Sequence, residues 1–304
     1  MSHRAIFTHN DLDALSCALL ARLAMPGCDV YFCDYAGFPD LLRARLGRYE
    51  AIWIADISLR PGDPLLAAMQ ESDAEILWFD HHDSSAAQPW MAESRLDHTG
   101  RFCSGDLVAQ YLSELGVEIP LAFQTLLEWT RDQDLWLRAL PESQVFNDIL
   151  GNLHVQELFD LLSADPSRVY HPTERMSAAS AATEREREWS LELARRTSVW
   201  HDLPGGGRLR ACCCWGSVSE VGDALGDPDT LVALLDLRSL ERRHARFSFR
   251  TQSDTLAANR IAERLGGGGH AKASGAPLAI EELQAISAAL VAKVLGAAGA
   301  GDES

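Results

Sequence analysis

The sequence predicts an α/β protein of two domains: an N-terminal, mainly parallel sheet flanked by helices, then a helical linker and a second, smaller α/β domain. Three observations carry this. Strand-like and helix-like segments alternate through the first half of the chain. A length of 304 residues favours two domains over one. A run rich in Ala, Glu and Arg with helical apolar spacing, Thr173 to Val199, leads into the punctuation Gly205-Gly206-Gly207. The expected boundaries are 1–170, 171–204 and 205–304.

Ala5 to Thr8 reads as a strand and Ala14 to Ala24 as a helix. A strand at Val30 to Cys33 and a helix at Phe38 to Leu46 follow. Ala51 to Ala55 reads as a third strand, with a helix expected after Pro61 because proline suits a first helical turn. Glu75 to Phe79 is a fourth strand; Gly105 to Leu115 and Leu121 to Trp129 are helices of apolar periodicity. In the second block, strands are expected at Leu209 to Trp215, Leu231 to Leu237 and Arg246 to Thr251. Helices are expected at Ser219 to Leu225, Leu256 to Leu265 and Ile280 to Leu295, with a glycine loop before the last and a mobile tail from Gly296.

The formal net charge of −17 and pI near 4.9 argue against a long duplex gripped through its phosphates, which needs a basic footprint. A short nucleotide held by a few Arg and bound cations remains compatible. The seven cysteines include no CxxC pair, so Cys212-Cys213-Cys214 read as small apolar core residues. No apolar run is long enough to span a bilayer, and the N-terminus enters a strand without a signal-peptide plan. The expected location is cytoplasmic.

The chemistry-bearing residues gather at the ends of predicted elements. His9, Asp11 and Asp13 follow the first strand, Asp56 the third, and Asp80-His81-His82 the fourth; Asp132 and Asp134 arrive at the end of a helix. In open parallel sheets ligands collect at the carboxyl ends of strands, so one rim gathers these groups. Each Asp alone also fits an ordinary helix cap or turn. Four such clusters beside a double histidine fit a pair of divalent cations better, because crowded carboxylates repel one another until cations reverse the sign. The expected ligands are His9, Asp11, Asp13, Asp56, His81 and Asp132, with Asp56 the bridge. Mixed imidazole and carboxylate donors suit manganese.

These segments together resemble the DHH phosphoesterases. Thr8-His9-Asn10-Asp11-Leu12-Asp13-Ala14 resembles the first motif, Asp56 the second, Asp80-His81-His82 the third and Arg131-Asp132-Gln133-Asp134-Leu135-Trp136 the fourth. Gly266-Gly267-Gly268-Gly269-His270-Ala271-Lys272-Ala273-Ser274-Gly275 resembles the glycine-rich motif of the DHH-associated C-terminal domain, and Phe247 to Thr251 a strand of that domain with a substrate-facing Arg. Ala14 and Ser274 stand where Gly and Ala are usual; neither change removes a ligand. Spacing alone leaves Asp132 and Asp134 open as the fourth-motif ligand; the family pattern favours Asp132.

The resemblance implies that His9, Asp11 and Asp56 hold one metal and that Asp13, Asp56, His81 and Asp132 hold the other. It further implies that Asp80 orients a ligand, that His82 faces the scissile phosphate, and that Arg250, Gly267, Gly268, Gly269 and His270 bind substrate. The expected activity is metal-assisted hydrolysis of short oligonucleotides to nucleoside monophosphates, by the oligoribonuclease or cyclic-nucleotide phosphodiesterase subgroup. A cleft between the domains is expected to measure substrate length. Cyclic or linear dinucleotides and 3′,5′-bisphosphate nucleotides are the alternative substrates. A nucleotide-binding regulator without activity is the non-enzyme alternative, and the glycine-rich motif speaks against a pyrophosphatase. The expected partners are a short substrate, no membrane and a homodimer mate.

Overall fold

Five parallel strands form the sheet of the N-terminal unit, in the order β2-β1-β3-β4-β5. The structure is a computed structural model that describes residues 3–82, 85–204, 206–241, 246–278 and 284–285. The chain divides into two compact units, Met1–Thr183 and Glu184–Ser304, with the division inside the long helix Glu174–Thr197. In chain order the first unit contains β1 (Arg4–Thr8), α1 (Leu12–Ala24), β2 (Asp29–Phe32), α2 (Phe38–Arg43), β3 (Ala51–Ala55), α3 (Pro64–Gln70) and β4 (Glu75–Asp80). Then come β5 (Glu93–Leu96), α4 (Ser104–Glu114), α5 (Leu121–Asp134), α6 (Pro141–Asn152), α7 (Val155–Ala164) and the start of α8 (Glu174–Thr197).

Successive strand residues point to opposite faces, and both faces of this sheet are apolar. Phe7, Ile52, Ile54, Ile76 and Trp78 pack against Phe38 and Leu42 of α2 and Leu65 and Met69 of α3. Ile6, Trp53, Ala55, Leu77 and Phe79 pack against Cys17 and Leu20 of α1 and Leu107, Val108 and Leu112 of α4. A third cluster joins Leu15 and Leu19 of α1 to Phe123 and Leu126 of α5, Phe146 of α6 and Leu158 of α7.

Within the described residues the elements expected from sequence are present, with local differences. The helix expected after Pro61 begins at Pro64, because Asp63 caps it by accepting the Leu65 N–H at 2.8 Å while Pro61 and Gly62 form a turn. Strand β5 was not expected: Glu93-Ser94-Arg95-Leu96 has no apolar run, and it is an edge strand whose Arg95 pairs with Glu114. Helices α6 and α7 fall in a stretch for which the sequence reading predicts no element.

The second unit contains β6 (Val199–Asp202), β7 (Arg208–Cys214), α9 (Val218–Leu225), β8 (Thr230–Asp236), α10 (Arg238–Glu241), β9 (Arg246–Thr251), α11 (Ala258–Arg264), β10 (Gly268–Gly269) and β11 (Ala273–Pro277). Its six strands run β10-β11-β9-β8-β7-β6, with β7 and β8 parallel and the remaining pairs antiparallel. Cys212 and Cys214 sit in the core beside Val221 and Leu234, and burial pushes the Cys212 thiol up to about 11. Such a thiol is inert at neutral pH.

Part of the expected glycine loop is a strand. Gly268 and Gly269 pair with Gly275 and Ser274, so the loop is a tight hairpin at the sheet edge. A Cβ on Gly267 would lie 2.0 Å from the Gly275 carbonyl oxygen, which explains why only glycine fits there. The helix expected at 280–295 lies outside the described residues except for 284–285, as does the tail from Gly296. Among the described residues no helix is long and apolar enough to cross a membrane.

Candidate metal centre

The parallel sheet changes direction at β1: β2 lies on one side and β3 on the other. Ligand crevices open at such switch points, at the carboxyl ends of the strands. His9 and Asp11 leave β1 there, and Asp56 leaves β3. Asp56 has φ 55°, a left-handed conformation that Asp tolerates better than most residues, and its N–H is held by the Phe79 carbonyl of β4 at 3.0 Å. Asp80, the last residue of β4, sends His81 and His82 to the same rim.

The carboxylates and imidazoles meet. His9 Nδ1 lies 2.7 Å from Asp11 Oδ2 and 4.0 Å from Asp56 Oδ2. His81 Nε2 lies 3.7 Å from Asp56 Oδ1 and 3.3 Å from Asp134 Oδ2. Among the described residues three groups have their donor atoms within 4.8 Å of one another and could hold a metal ion: His9, Asp11 and Asp56; Asp56, His81 and His82; Asp13, His81 and Asp134. The helix-cap reading and the cluster reading of Asp11 are both satisfied, since its other oxygen accepts the Ala14 N–H at 3.0 Å and caps α1.

Asp13 is set by α4. Its two oxygens accept the N–H groups of Ser104 and Gly105, each at 2.8 Å, at the positive end of that helix. A Cβ on Gly105 would lie 2.8 Å from Leu127 Cδ1 and 3.0 Å from Asp13 Oδ1. Gly105→Ala is therefore expected to cost about 1–3 kcal/mol by overpacking and to displace Asp13; thermal melting with and without manganese reads both effects.

Asp132 does not join the cluster, contrary to the expectation that it ligates metal. Its Oδ1 accepts the Ala139 N–H at 2.8 Å, and its Oδ2 accepts the Leu140 N–H at 3.2 Å and the Ser143 hydroxyl at 2.5 Å. It ties the α5–α6 connection to the start of α6. Asp134 takes the place beside His81. Arg131 of the same motif clamps α5 to α4, donating from Nε and Nη2 to Asp106 at 2.7 and 2.5 Å.

Asp80 and His82 are coupled: His82 Nδ1 lies 2.8 Å from Asp80 Oδ1, and the Ser85 hydroxyl donates to Asp80 Oδ2. Tyr35, which sequence reasoning missed, reaches His82 Nε2 at 3.2 Å, and its ring centroid lies 5.1 Å from that of His9. It follows β2, so the same rim rule that found His9 and Asp56 would have found it.

The electrostatics call for positive charge. Burial, reinforced by Asp11, Asp13 and Asp134, holds the Asp56 carboxyl well above the usual range, and burial with Asp13 and Asp11 does the same to Asp134. Burial also raises Asp13. Burial opposes a charge on His9, but the hydrogen bond and field of Asp11 outweigh it and raise the imidazole; Asp80 does the same for His82. Asp56 Oδ2 and Asp134 Oδ2 are buried and make no hydrogen bond. Orphaned buried carboxylate oxygens among imidazoles fit a divalent cation.

In the second unit, Arg250 is largely buried. Its Nη1 donates to the carbonyls of Phe249 and Ser274, its Nη2 to the Ser219 hydroxyl, and its Nε has no partner. Burial and nearby Arg246 lower its pKa, yet a guanidinium stays charged. The hairpin turn at His270 is closed by its N–H donating to Ala273 at 2.8 Å, and both His270 and Gly269 are exposed.

No protein-family model matches the chain. The chain is 25% identical to oligoribonuclease NrnB of Bacillus subtilis (strain 168), over 91% of this chain and 73% of that protein. Among solved structures it is similar to the pGpG-specific phosphodiesterase PggH of Vibrio cholerae, with a TM-score of 0.57 at 14% identity over 97% of this chain and 99% of that one. It is similar also to RecJ of Thermus thermophilus in complex with Mn2+, with a TM-score of 0.53 at 17% identity over 93% of this chain and 51% of that one. The DHH domain of a protein assigned to a ribosomal-protein family superposes with a TM-score of 0.58 at 13% identity, covering 95% of this chain and 86% of that one. These structures share the fold, and the likeness to the oligoribonuclease spans nearly the whole chain. The fold they share, and the ordered motifs that converge on one sheet rim, make the chain similar to the DHH-domain proteins.

Proposed function

We propose that the chain is a divalent-metal-dependent phosphodiesterase that hydrolyses very short linear oligonucleotides to nucleoside monophosphates. The observation that carries this reading is the convergence of His9, Asp11, Asp13, Asp56, His81 and Asp134 at the β1–β3 switch point, with two buried carboxylate oxygens lacking any hydrogen bond. His9, Asp11 and Asp56 would hold one cation, and Asp13, Asp56, His81 and Asp134 a second, with Asp56 shared. Imidazole and carboxylate donors in that mixture suit manganese. Bound there, such cations supply Lewis acidity to the phosphoryl group and make water a nucleophile at neutral pH.

The chain's own residues do the rest. Asp80 fixes the His82 ring through Nδ1 and raises its basicity against the opposing effect of burial. The ring's N–H edge is assigned to charge growing on the non-bridging phosphoryl oxygens. Tyr35 steadies the Nε2 side of the same ring. In the second unit, the Gly267–Gly269 hairpin with His270 is assigned to a sugar or phosphate that backbone must approach closely. Arg250, a buried cation with an unpartnered Nε, is assigned to a terminal phosphate.

The acidic surface, with net charge −17, favours a short substrate over a long strand. The two named relatives that support the reading are an oligoribonuclease and a pGpG-specific phosphodiesterase. The test is turnover, with manganese, of a series of linear oligonucleotides from two to about ten residues, alongside cyclic dinucleotides and a 3′,5′-bisphosphate nucleotide. Mononucleotide release that is fastest for the shortest linear substrates is expected. Free phosphate from the bisphosphate alone, or binding without turnover, would overturn the reading.

A further inference from the structure

Between α5 and α6 the backbone adopts conformations that bulky residues resist. Trp136 has φ 58° and Arg138 φ 55°. Each is strained and persists only where the surroundings over-determine it. Asp132 supplies that constraint. Its carboxylate accepts the Ala139 and Leu140 N–H groups and the Ser143 hydroxyl, and its carbonyl accepts the Leu137 N–H at 2.8 Å. The Trp136 N–H is closed onto the Gln133 carbonyl at 3.2 Å.

The result is a tryptophan held with part of its ring in solvent. Trp136 is 37% exposed, although a large aromatic side chain gains most by burial. The Arg138 guanidinium lies over its ring, 3.7 Å from the centroid, and donates in turn to Gln144 Oε1. A stacked guanidinium stiffens the ring and adds positive charge beside it. The ring stands two residues past Asp134, at most about 7 Å further along the backbone, and Asp134 is 3.3 Å from His81. A flat face and a cation that follow a cluster carboxylate by two to four residues of chain match the chemistry of a base next to its phosphate.

We infer that Trp136, braced by Arg138, is the platform on which a nucleobase of the substrate stacks, and that Asp132 is the positioning residue that holds the platform in place. This rests on the phosphodiesterase reading above. Every base has a π face, so such a platform gives affinity without sequence preference. It accounts for what Asp132 does in the fourth motif without a role on the metal.

The test compares hydrolysis of a linear diadenylate with that of its abasic counterpart, with manganese, in the native protein and the W136A, W136F and D132N variants. Base–aromatic stacking of about 1–3 kcal/mol per base predicts a native preference for the base-bearing substrate of about 5–150-fold in kcat/KM. Trp136→Ala is expected to collapse that preference toward unity through KM, and Trp136→Phe to keep most of it. Asp132→Asn is expected to lower the preference too, whereas a merely structural residue would slow both substrates alike. An unchanged preference in Trp136→Ala, with both substrates still cleaved, would overturn the platform and leave the phosphodiesterase reading standing. A native protein that cleaves neither dinucleotide would sink both. Melting with manganese checks that each variant is folded.

Discussion

Asp56→Asn is expected to move stability in opposite directions with and without metal, and to reduce manganese-dependent hydrolysis by about 10²-fold or more. The carboxylate is 2% exposed, lies between His9 and His81, and has an oxygen with no hydrogen bond. Asparagine keeps its shape and tolerates the positive φ, so the backbone has no reason to move. In the metal-free protein the folded-state pKa of Asp56 is raised by burial and by Asp11, Asp13 and Asp134. The sign follows from linkage: a carboxyl that binds its proton more tightly when folded loses stability for the fold as pH rises above the unfolded value, about 3.9. Metal-free Asp56→Asn should therefore melt above the native protein at pH 7, and the gap should close as pH falls through the carboxylate range. Manganese at about 100 times its dissociation constant adds about 2.7 kcal/mol per site to the native protein, and much of that gain is expected to be missing in the variant. Differential scanning fluorimetry across pH, with and without manganese, reads both signs. A variant that melts below the native protein in the absence of metal would show that Asp56 is held by ordinary hydrogen bonding.

The second large effect separates two neighbours in one motif. Asp134→Asn is expected to weaken manganese binding and turnover by about 10²-fold, because it removes the carboxylate beside His81 and a buried oxygen with no other partner. Asp132→Asn is expected to cost about 1–3 kcal/mol of stability, because an amide nitrogen cannot accept all of the Ala139, Leu140 and Ser143 donors. It should nonetheless retain the manganese-induced rise in melting temperature. Titration of manganese against both variants decides it: loss of that rise in Asp132→Asn, with its retention in Asp134→Asn, would reverse the assignment.

Much of the fold was legible because its causes are local. Runs such as Ile52-Trp53-Ile54 and Leu77-Trp78-Phe79 are apolar on both faces, which marks buried parallel strands. What escaped was set by partners distant in sequence. Strand β5 has no apolar run and exists as an edge beside β4. Gly268 and Gly269 look like loop, and become a strand only because Gly275 and Ser274 lie opposite. Tyr35 lies just past the end of β2, and its contact with His82, which follows β4, depends on the order in which the strands share that rim.

At the candidate metal centre, the sequence by itself determined the donor types, their order along the chain and their attachment to strand ends. Those follow from the ends of apolar runs and from the alternation of strand and helix. The choice between Asp132 and Asp134 belonged to the tertiary structure. Two positions apart on a helix, their side chains leave the axis about 200° apart, so only one can face the rim. The rotation of α5 selects it, fixed by the Ser16–Thr130 hydroxyl pair at 2.7 Å and the Arg131–Asp106 clamp. Those contacts join residues on different helices, and no spacing within the motif encodes them.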